Sequence, residues 1–160
     1  MKEKIIPPAA IQAHCEKLRA CGERIVFTNG VFDLLHAGHV QYLREARALG
    51  TRLLVALNTD ESTKNIKGEN RPLIPLMHRV EVLAAMEMVD CVTWFNENTP
   101  GAIIEMVKPD VLVKGGDWPV DQIAGRDFVE SIGGRVLSLP FRSGNSTTNI
   151  VEAILKLPTL

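Results

Sequence analysis

Short runs of apolar, often β-branched residues alternate with longer amphipathic segments along most of the chain. The runs are typical of buried strands, and the segments with apolar positions three or four residues apart are typical of helices. The predicted strands cover residues 24–28, 52–58, 90–95, 110–114 and 135–139. The predicted helices cover residues 9–20, 37–49, 76–88, 99–109, 126–132 and 146–157. Between the second strand and the third helix, residues 58–75 predict a short helical turn followed by a mobile loop.

This alternation predicts the fold class. Strands that are apolar along their whole length belong to parallel sheets that helices cover on both faces. We therefore expect an α/β fold, Rossmann-like and doubly wound, with a five-stranded, mainly parallel sheet. One domain is expected over residues 1–160, with residues 1–22 as an N-terminal helical extension. Ligands of such sheets bind beyond the carboxyl ends of the strands, so the loops at those ends are the candidates for chemistry.

Composition narrows the class of protein further. The length of 160 residues suits a single domain with its own hydrophobic core. The formal net charge of -1 argues against broad binding to nucleic acid, which needs a basic excess. No signal peptide pattern is seen, and no apolar stretch reaches the ~20 residues that span a bilayer. We expect a cytoplasmic protein with small-molecule substrates, and with neither nucleic acid nor membrane as a partner.

The loop after the first predicted strand carries the strongest chemical signal. It reads TNGVFDLLHAGH over residues 28–39 and places His36 and His39 on either side of Gly38, where a helix is predicted to begin. The unpaired N–H groups and partial positive charge of a helix start attract phosphate. Imidazoles with a pKa near neutrality can add donors and charge. This tetrad favours stabilisation of an α-phosphate and of its pyrophosphate leaving group.

Other interpretations of this loop remain open. The two histidines can merely cap and pack the helix, or ligate a metal, although no third ligand is near in sequence. Gly30 allows a tight change of chain direction or a close approach of the backbone. Asp33 can hold sugar hydroxyls of an acceptor or fix the turn through its own backbone. Neither a P-loop nor a Gly-x-Gly-x-x-Gly fingerprint occurs in the chain.

The stretch TNGVFDLLHAGHVQYLREAR resembles the opening of the cytidylyltransferase-like nucleotidyltransferases. These are Rossmann-like enzymes that include glycerol-3-phosphate and choline-phosphate cytidylyltransferases. The resemblance extends over residues 24–155 and includes NTDESTKNIKG, RPLIPLMHR, VKGGDW and GNSTTNI. In detail these segments are most similar to the branch that adenylylates heptose 1-phosphate, in its stand-alone form. The resemblance implies ATP as substrate, Mg²⁺ carried by the nucleotide phosphates rather than by protein ligands, and a homodimer.

The resemblance also implies roles for individual residues. The catalytic set would be His36, His39, Lys64, Lys67 and Arg79. One of the loop lysines would act at the α-phosphate or the substrate phosphate, and Arg79 at the triphosphate. The nucleotide would contact Thr28, Asn29, Gly30, Phe32, Gly38, Gly115, Gly116, Asp117, Ser146, Thr147 and Thr148. The sugar phosphate would contact Asp33, Asn58, Arg71 and Trp118.

Simpler roles compete with several of these assignments. The cations of residues 64–79 can form a solvated surface, and Trp118 can be a hydrophobic plug. The hydroxyls of residues 146–148 can cap the last helix, which contributes ~1 kcal/mol.

One position separates two branches of the family that the chain resembles. The glycerol-type pattern has an arginine three residues before the glycine of the last segment, where this chain has Phe141, with Arg142 one residue later. This favours transfer of AMP from ATP to heptose 1-phosphate, giving ADP-heptose and pyrophosphate for lipopolysaccharide core synthesis. The alternatives are a cytidylyltransferase acting on glycerol 3-phosphate or another polyol phosphate, and a non-catalytic nucleotide sensor. A class I aminoacyl-tRNA synthetase fragment shares the tetrad, but its lysine-rich loop is missing.

Overall fold

Five strands form the centre of the molecule in the computed structural model, which describes residues 2–116, 118–140 and 147–157. The strands are β1 Ile25–Gly30, β2 Arg52–Asn58, β3 Cys91–Phe95, β4 Val111–Gly115 and β5 Arg135–Leu139. The helices are α1 Pro8–Ala20, α2 Ala37–Arg47, α3 Asp60–Lys67, α4 Leu76–Ala84, α5 Gly101–Val107, α6 Arg126–Ser131 and α7 Thr147–Leu155. Two short 3-10 turns lie at Lys2–Lys4 and Val120–Gln122.

The sheet has the strand order β3-β2-β1-β4-β5, and every neighbouring pair is parallel. The chain therefore moves outward from β1 through β2 to β3, then crosses back to β4 on the other side of β1. The strand order reverses between β1 and β4, which is where sheets of this kind form a crevice for ligands. The predicted Rossmann-like α/β class is confirmed, with a sheet that is wholly rather than mainly parallel.

Alternate strand residues point to opposite faces of the sheet and build two hydrophobic cores. On one face, Phe27 and Leu54 pack with side chains of α1, α5 and α6, including Ile11 and Ile104. On the other face, strand residues such as Val55 pack with α2 and α4. Each strand is thus covered twice, which explains why its sequence is apolar without alternation.

Two predicted elements differ from the structure. The segment after β2 forms the eight-residue helix α3 rather than a short turn, because the Thr59 hydroxyl caps it by accepting a hydrogen bond from the Ser62 N–H at 3.2 Å. Helix α4 ends at Ala84 instead of residue 88, because bonds from Met86 N–H to the Leu83 carbonyl and from Val89 N–H to the Met86 carbonyl tighten the chain into turns that lead to β3. Within the described residues, no helix is both long and apolar enough to cross a membrane.

Candidate active site

A cleft of about 670 Å³ opens beyond the carboxyl ends of β1, β2 and β4. This is the size of pocket that takes a small-molecule ligand. Ten residues predicted from the sequence line it: Asn29, Gly30, Phe32, Asp33, His39, Asn58, Lys67, Arg71, Trp118 and Thr147. Five lining residues were not predicted: Val31, Ile66, Asn98, Pro100 and Lys114. Half of the twenty predicted site residues are therefore brought together in one place, at the reversal of strand order.

The two histidines lie at the start of α2, where they pack against each other. His36 is the N-cap residue, with an extended backbone, and the two imidazole centroids are 3.9 Å apart. The His36 N–H donates to Nδ1 of His39 at 3.3 Å, so the proton of a neutral His39 is assigned to Nε2. In the reciprocal half of this capping box, Nδ1 of His36 faces the His39 backbone but is buried without a hydrogen bond to the described residues. Capping and phosphate binding are thus compatible here.

Burial lowers the pKa of both histidines and so favours the neutral imidazole at pH 7. It lowers the pKa of His39 to about 4, with a further decrease from the neighbouring His36. Burial also lowers the pKa of His36 below its ordinary value. The protein alone thus disfavours charge on both imidazoles, and the expectation that they carry charge beside a triphosphate stays a prediction. A bound phosphate favours the protonated form and would raise both pKa values.

Gly30 and Phe32 shape the floor of the cleft. Phe32 has a φ of 49°, an uncommon backbone conformation for a residue with a side chain. Its ring lies against Gly30, where an added Cβ would be 3.1 Å from Cε2 of Phe32. The same ring packs against the imidazole of His39, with centroids 5.5 Å apart. Gly30 thus permits a close approach to its backbone, as predicted, and the group that approaches is the ring of Phe32. Gly38 is buried in the first turn of α2.

Arg79 is the clearest correction to the sequence prediction, which placed it at the triphosphate. Its side chain has no exposed surface, and its guanidinium donates to four acceptors of the protein itself. These acceptors are the carbonyls of Ile74 at 2.9 Å, Val31 at 2.6 Å and Asn58 at 3.0 Å, and the Asp60 carboxylate at 2.6 Å. The residue joins the ends of β1 and β2 to the start of α4. It is a positioning residue that shapes the cleft from beneath.

Asp33 also differs from both of its predicted roles. Its carboxylate accepts from the N–H groups of Leu73 and Ile74 at 2.9 Å and from Nη1 of Arg71 at 2.9 Å. Burial alone would raise the pKa of Asp33, but these hydrogen bonds and the Arg71 charge lower it overall. Asp33 therefore neither fixes its own turn nor offers an unused carboxylate to a sugar. It anchors the segment between α3 and α4, and Arg71 pairs with it at the cleft wall.

The two loop lysines are separated by the structure. Both lie on α3 and are exposed, but Lys67 lines the cleft, whereas Lys64 is outside the set of lining residues. Of the two lysines, Lys67 is therefore the one placed to meet a ligand of the cleft in this conformation, and its role stays a prediction.

Two polar residues at the ends of β1 and β2 have different surroundings. Thr28 is fully buried and its hydroxyl lies 2.6 Å from that of Tyr42, so its predicted contact with the nucleotide is corrected to a bond within the core. Asn58 is 4% exposed and lines the cleft, while its side-chain N–H donates to Ser62 at 3.0 Å.

The structure describes only part of the two predicted segments VKGGDW and GNSTTNI. Gly115 lines a side pocket of the cleft, and Trp118 lines the cleft itself with half of its surface exposed. Gly116 has a φ of 103°, its N–H donates to the Leu139 carbonyl at 2.9 Å, and it is not among the residues that line the cleft. The Thr147 hydroxyl donates to the Leu34 carbonyl at 3.3 Å. Asp117, Phe141, Arg142 and Ser146, and the side chain of Thr148, lie outside the described residues.

Lys114 is the main residue that sequence reasoning missed. It lies at the end of β4, half-buried, with Nζ 3.5 Å from the Asn29 carbonyl. Burial lowers its pKa, and the charge of Lys67 lowers it further. The signal available in the sequence was a lysine at the carboxyl end of an otherwise apolar strand next to the reversal point.

The parallel sheet and the cleft at its reversal of strand order define a Rossmann-like α/β domain, with paired histidines at the start of α2 as its candidate phosphate site. The chain matches the model of the Cytidylyltransferase-like family over residues 27–153, and it belongs to that family.

Curated relatives share high identity with the chain. The protein called "Bifunctional protein HldE" from Sodalis glossinidius (strain morsitans) is 59% identical over 136 residues, which are 85% of this chain and 28% of that protein. The protein of the same name from Alcanivorax borkumensis is 53% identical over 150 residues, which are 94% of this chain and 32% of that protein. The chain thus spans about a third of the length of these relatives.

Solved structures show the same fold. The lipopolysaccharide core biosynthesis protein from Thermoplasma volcanium GSS1 is 28% identical with a TM-score of 0.63, and the match covers 78% of this chain and all of that chain. A pantoate-beta-alanine ligase from Francisella tularensis has a TM-score of 0.57 at 14% identity, covering 93% of this chain and 76% of that one. The second likeness concerns the fold alone.

Proposed function

We propose that the chain is a nucleotidyltransferase that transfers AMP from ATP to heptose 1-phosphate, giving ADP-heptose and pyrophosphate. The carrying observation is the His36–His39 pair at the start of α2, beside a cleft that Lys67 and Arg71 also line. The identity of more than 50% to proteins named HldE, and the likeness to a lipopolysaccharide core biosynthesis protein, support the heptose assignment.

The reaction needs positioning and charge stabilisation rather than an activated side chain. An oxygen of the heptose phosphate is already anionic near pH 7, so it attacks the α-phosphorus of ATP without a general base. The bond from the α-phosphorus to the bridging oxygen breaks in line with the attack, and its electron pair leaves with pyrophosphate. Phosphoryl transfer of this kind is catalysed by orientation and by groups placed where charge develops.

The histidines take the central role in this proposal. The imidazole N–H groups and the start of α2 donate to the oxygens of the α-phosphate and the leaving group. Because burial lowers the pKa of both imidazoles, they act first as neutral donors and gain protons as negative charge accumulates beside them. Lys67 neutralises charge from the opposite wall, and Trp118 offers an apolar surface to a base or sugar.

Mg²⁺ is part of the proposal as a companion of the nucleotide. Within the described ranges no group of three or more His, Cys, Asp or Glu side chains is arranged to hold a metal ion, and the Asp33 carboxylate already accepts bonds from its own loop. Magnesium commonly binds through substrate phosphates with few protein ligands. When bound, it would neutralise charge on the triphosphate.

A homodimer is the proposed assembly, as the resemblance to the family implies. Helix α7 supports it, since Ile154, Leu155 and the following Leu157 expose between 56% and 78% of their surface. Light scattering on the purified chain tests this: a mass of one chain at micromolar concentration contradicts it.

The function is tested by a pyrophosphate-release assay that crosses four nucleoside triphosphates with three acceptors. The acceptors are the α and β anomers of heptose 1-phosphate and glycerol 3-phosphate. We expect turnover with ATP and one heptose anomer. Turnover only with CTP and glycerol 3-phosphate would instead establish the polyol cytidylyltransferase, and nucleotide binding without turnover across the panel would establish a sensor.

A further inference from the structure

Lys114 has no anionic partner in the part of the chain that the structure describes. Its Nζ makes a long hydrogen bond of 3.5 Å to the Asn29 carbonyl, and no described carboxylate lies within 4.0 Å of it. Asp33 lines the same cleft, but its carboxylate is occupied by Arg71 and by two backbone N–H groups. A half-buried lysine without a counter-ion among the described residues is unusual, because charges removed from water are normally paired.

Lys114 lies where two cavities meet. Beside the main cleft lies a side pocket of about 160 Å³, which Lys114 lines together with His39, Tyr42 and Gly115. Lys114 and His39 also line the main cleft, so the two cavities meet at these side chains. The side pocket is smaller than the ~300–1,000 Å³ of pockets that take whole ligands. It therefore suits one group of a larger ligand that extends from the main cleft.

We propose that the Lys114 ammonium binds a phosphate group at the junction of the two cavities, opposite His39. The inference rests on the proposed function only for the source of that phosphate, which is either the nucleotide or the sugar phosphate. The chemistry is the same for both, since an ammonium on the rigid end of a central strand provides a positive point charge with up to three donors.

The lowered pKa of Lys114 agrees with this assignment. Burial and the charge of Lys67 both lower the pKa of Lys114, so the ammonium is destabilised until an anion arrives. A phosphate would remove both effects by supplying opposite charge at short range. Lys67 comes from α3 and Lys114 from β4, so one phosphate-bearing ligand can be held from two sides.

A purely structural role makes a different prediction. In that case Lys114 would only join β4 to β1 through the Asn29 carbonyl, and its replacement would change stability without changing affinity for any anion. Neutral and charged ligands separate the two roles, because only the charged ones depend on the ammonium.

The test compares ligand binding to the wild-type chain, Lys114→Met and Lys17→Met by titration calorimetry. Lys17 is exposed near the end of α1 and is not a lining residue of the cleft, so it controls for loss of one positive charge. The ligands are magnesium pyrophosphate, magnesium ATP, heptose 1-phosphate and adenosine. We expect Lys114→Met to weaken at least one phosphate ligand by ~10–100-fold, as loss of a hydrogen bond to a charged group does, and to leave adenosine unchanged.

The pattern of losses identifies the phosphate. Weaker binding of ATP and pyrophosphate assigns Lys114 to the nucleotide, whereas weaker binding of heptose 1-phosphate alone assigns it to the acceptor. Wild-type affinity of Lys114→Met for all three phosphate ligands, or equal losses in Lys17→Met, overturns the proposal.

A measurement on the wild-type chain covers the case in which Lys114→Met does not fold. An amine-reactive acetylating reagent is applied with and without magnesium pyrophosphate and with and without heptose 1-phosphate, and each lysine is quantified by peptide mass spectrometry. At least one ligand should protect Lys114 and leave Lys17 equally labelled; equal labelling of Lys114 under all conditions contradicts the inference. Protection by pyrophosphate in a chain that turns over no sugar phosphate would leave the inference standing while the proposed function fails.

Discussion

The two ends of the parallel sheet differ in how their charged side chains are paired. At the amino ends of the strands, Asp90 lies 2.7 Å from Nε of Arg47 and accepts from the Leu53 N–H at 2.8 Å, while Arg52 lies 2.6 Å from Glu23. At the carboxyl ends, cations line the cleft, and within the described ranges the ammonium of Lys67 has no carboxylate within 4.0 Å.

The difference separates charges that are paired within the fold from charges that, under the proposed function, would be paired by a ligand. Pairing at the amino ends gives each of these charged groups an opposite charge within the protein, as half-buried charges require, although Nε of Arg52 is buried without a hydrogen bond to the described residues. An unpaired cation in a cleft gains its partner only when an anion binds, so the binding energy is available to the ligand. The carboxyl ends also hold paired cations, namely Arg71 and Arg79, and these are predicted to act on the fold rather than on the reaction.

The largest expected effect is on catalysis by His39. His39→Ala should lower kcat by ~10²–10³-fold, because a donor to the developing charge is lost. His78→Ala is the matched control, since His78 is exposed on α4 and does not line the cleft. Both are measured by pyrophosphate release at saturating substrate. A wild-type kcat for His39→Ala would mean that this imidazole only packs against Phe32 and His36.

The next effect concerns a paired cation at the carboxyl end. Arg79→Met should lower the free energy of unfolding by about 2–3 kcal/mol, because three backbone carbonyls lose a charged donor. Urea unfolding measures it, with Arg126→Met as the control, since the Arg126–Glu130 pair lies on the surface of α6. An unchanged stability together with a large rise in KM for ATP would return Arg79 to the triphosphate.

The contrast between Arg79 and the strands shows what the sequence could predict. Strands β2 and β5 were predicted with their exact bounds, and for β2 the reason is a continuous apolar run that reflects burial on both faces. The position of His36 and His39 at a helix start was predicted, because their spacing around Gly38 is a local feature of the sequence. The partners of Arg79 are carbonyls up to 48 residues away, and carbonyls are present at every residue, so no sequence pattern distinguishes them.

Lys64, Lys67 and Lys114 show the same limit. Lys64 and Lys67 are three residues apart on α3, and only the packing of that helix decides which of them lines the cleft. Lys114 was missed because a lysine that ends a strand is an ordinary strand boundary. Lys114 lines the cleft because β4 pairs with β1, and this long-range pairing is not visible in the spacing of residues along the sequence.

A smaller effect is expected at the amino ends. Asp90→Asn should lower the free energy of unfolding by about 1–2 kcal/mol, because the charge that pairs with Arg47 and Arg52 is lost. The kcat of the folded variant should equal that of the wild type, since the residue is at the opposite end of the sheet from the cleft. A change in kcat without a change in stability would contradict the division between the two ends.

The smallest effect is a dependence of stability on pH that His39 creates. A histidine of the unfolded chain titrates near 6.5, whereas burial lowers the pKa of His39 in the folded chain to about 4. Between these values the unfolded state binds more protons than the folded state, so the free energy of unfolding falls as the pH is lowered from 6.5 towards 4. The lowered pKa values of His14 and His36 act in the same direction.

His39→Asn removes the largest of these contributions and should make the loss of stability shallower than in the wild type, by at most about 2 kcal/mol at pH 5, because water screens part of the half-buried ring. Urea unfolding at pH 7, 6 and 5 measures the difference. The window stays above the range in which Asp33 acts, since a carboxylate with a lowered pKa loses its stabilising contribution only below its unfolded pKa of about 3.9. Equal slopes for the two proteins would mean that His39 is not desolvated in the empty cleft. Saturating pyrophosphate sharpens the test, because an anion that raises the pKa of His39 should reduce the same slope in the wild type and have less effect in the variant.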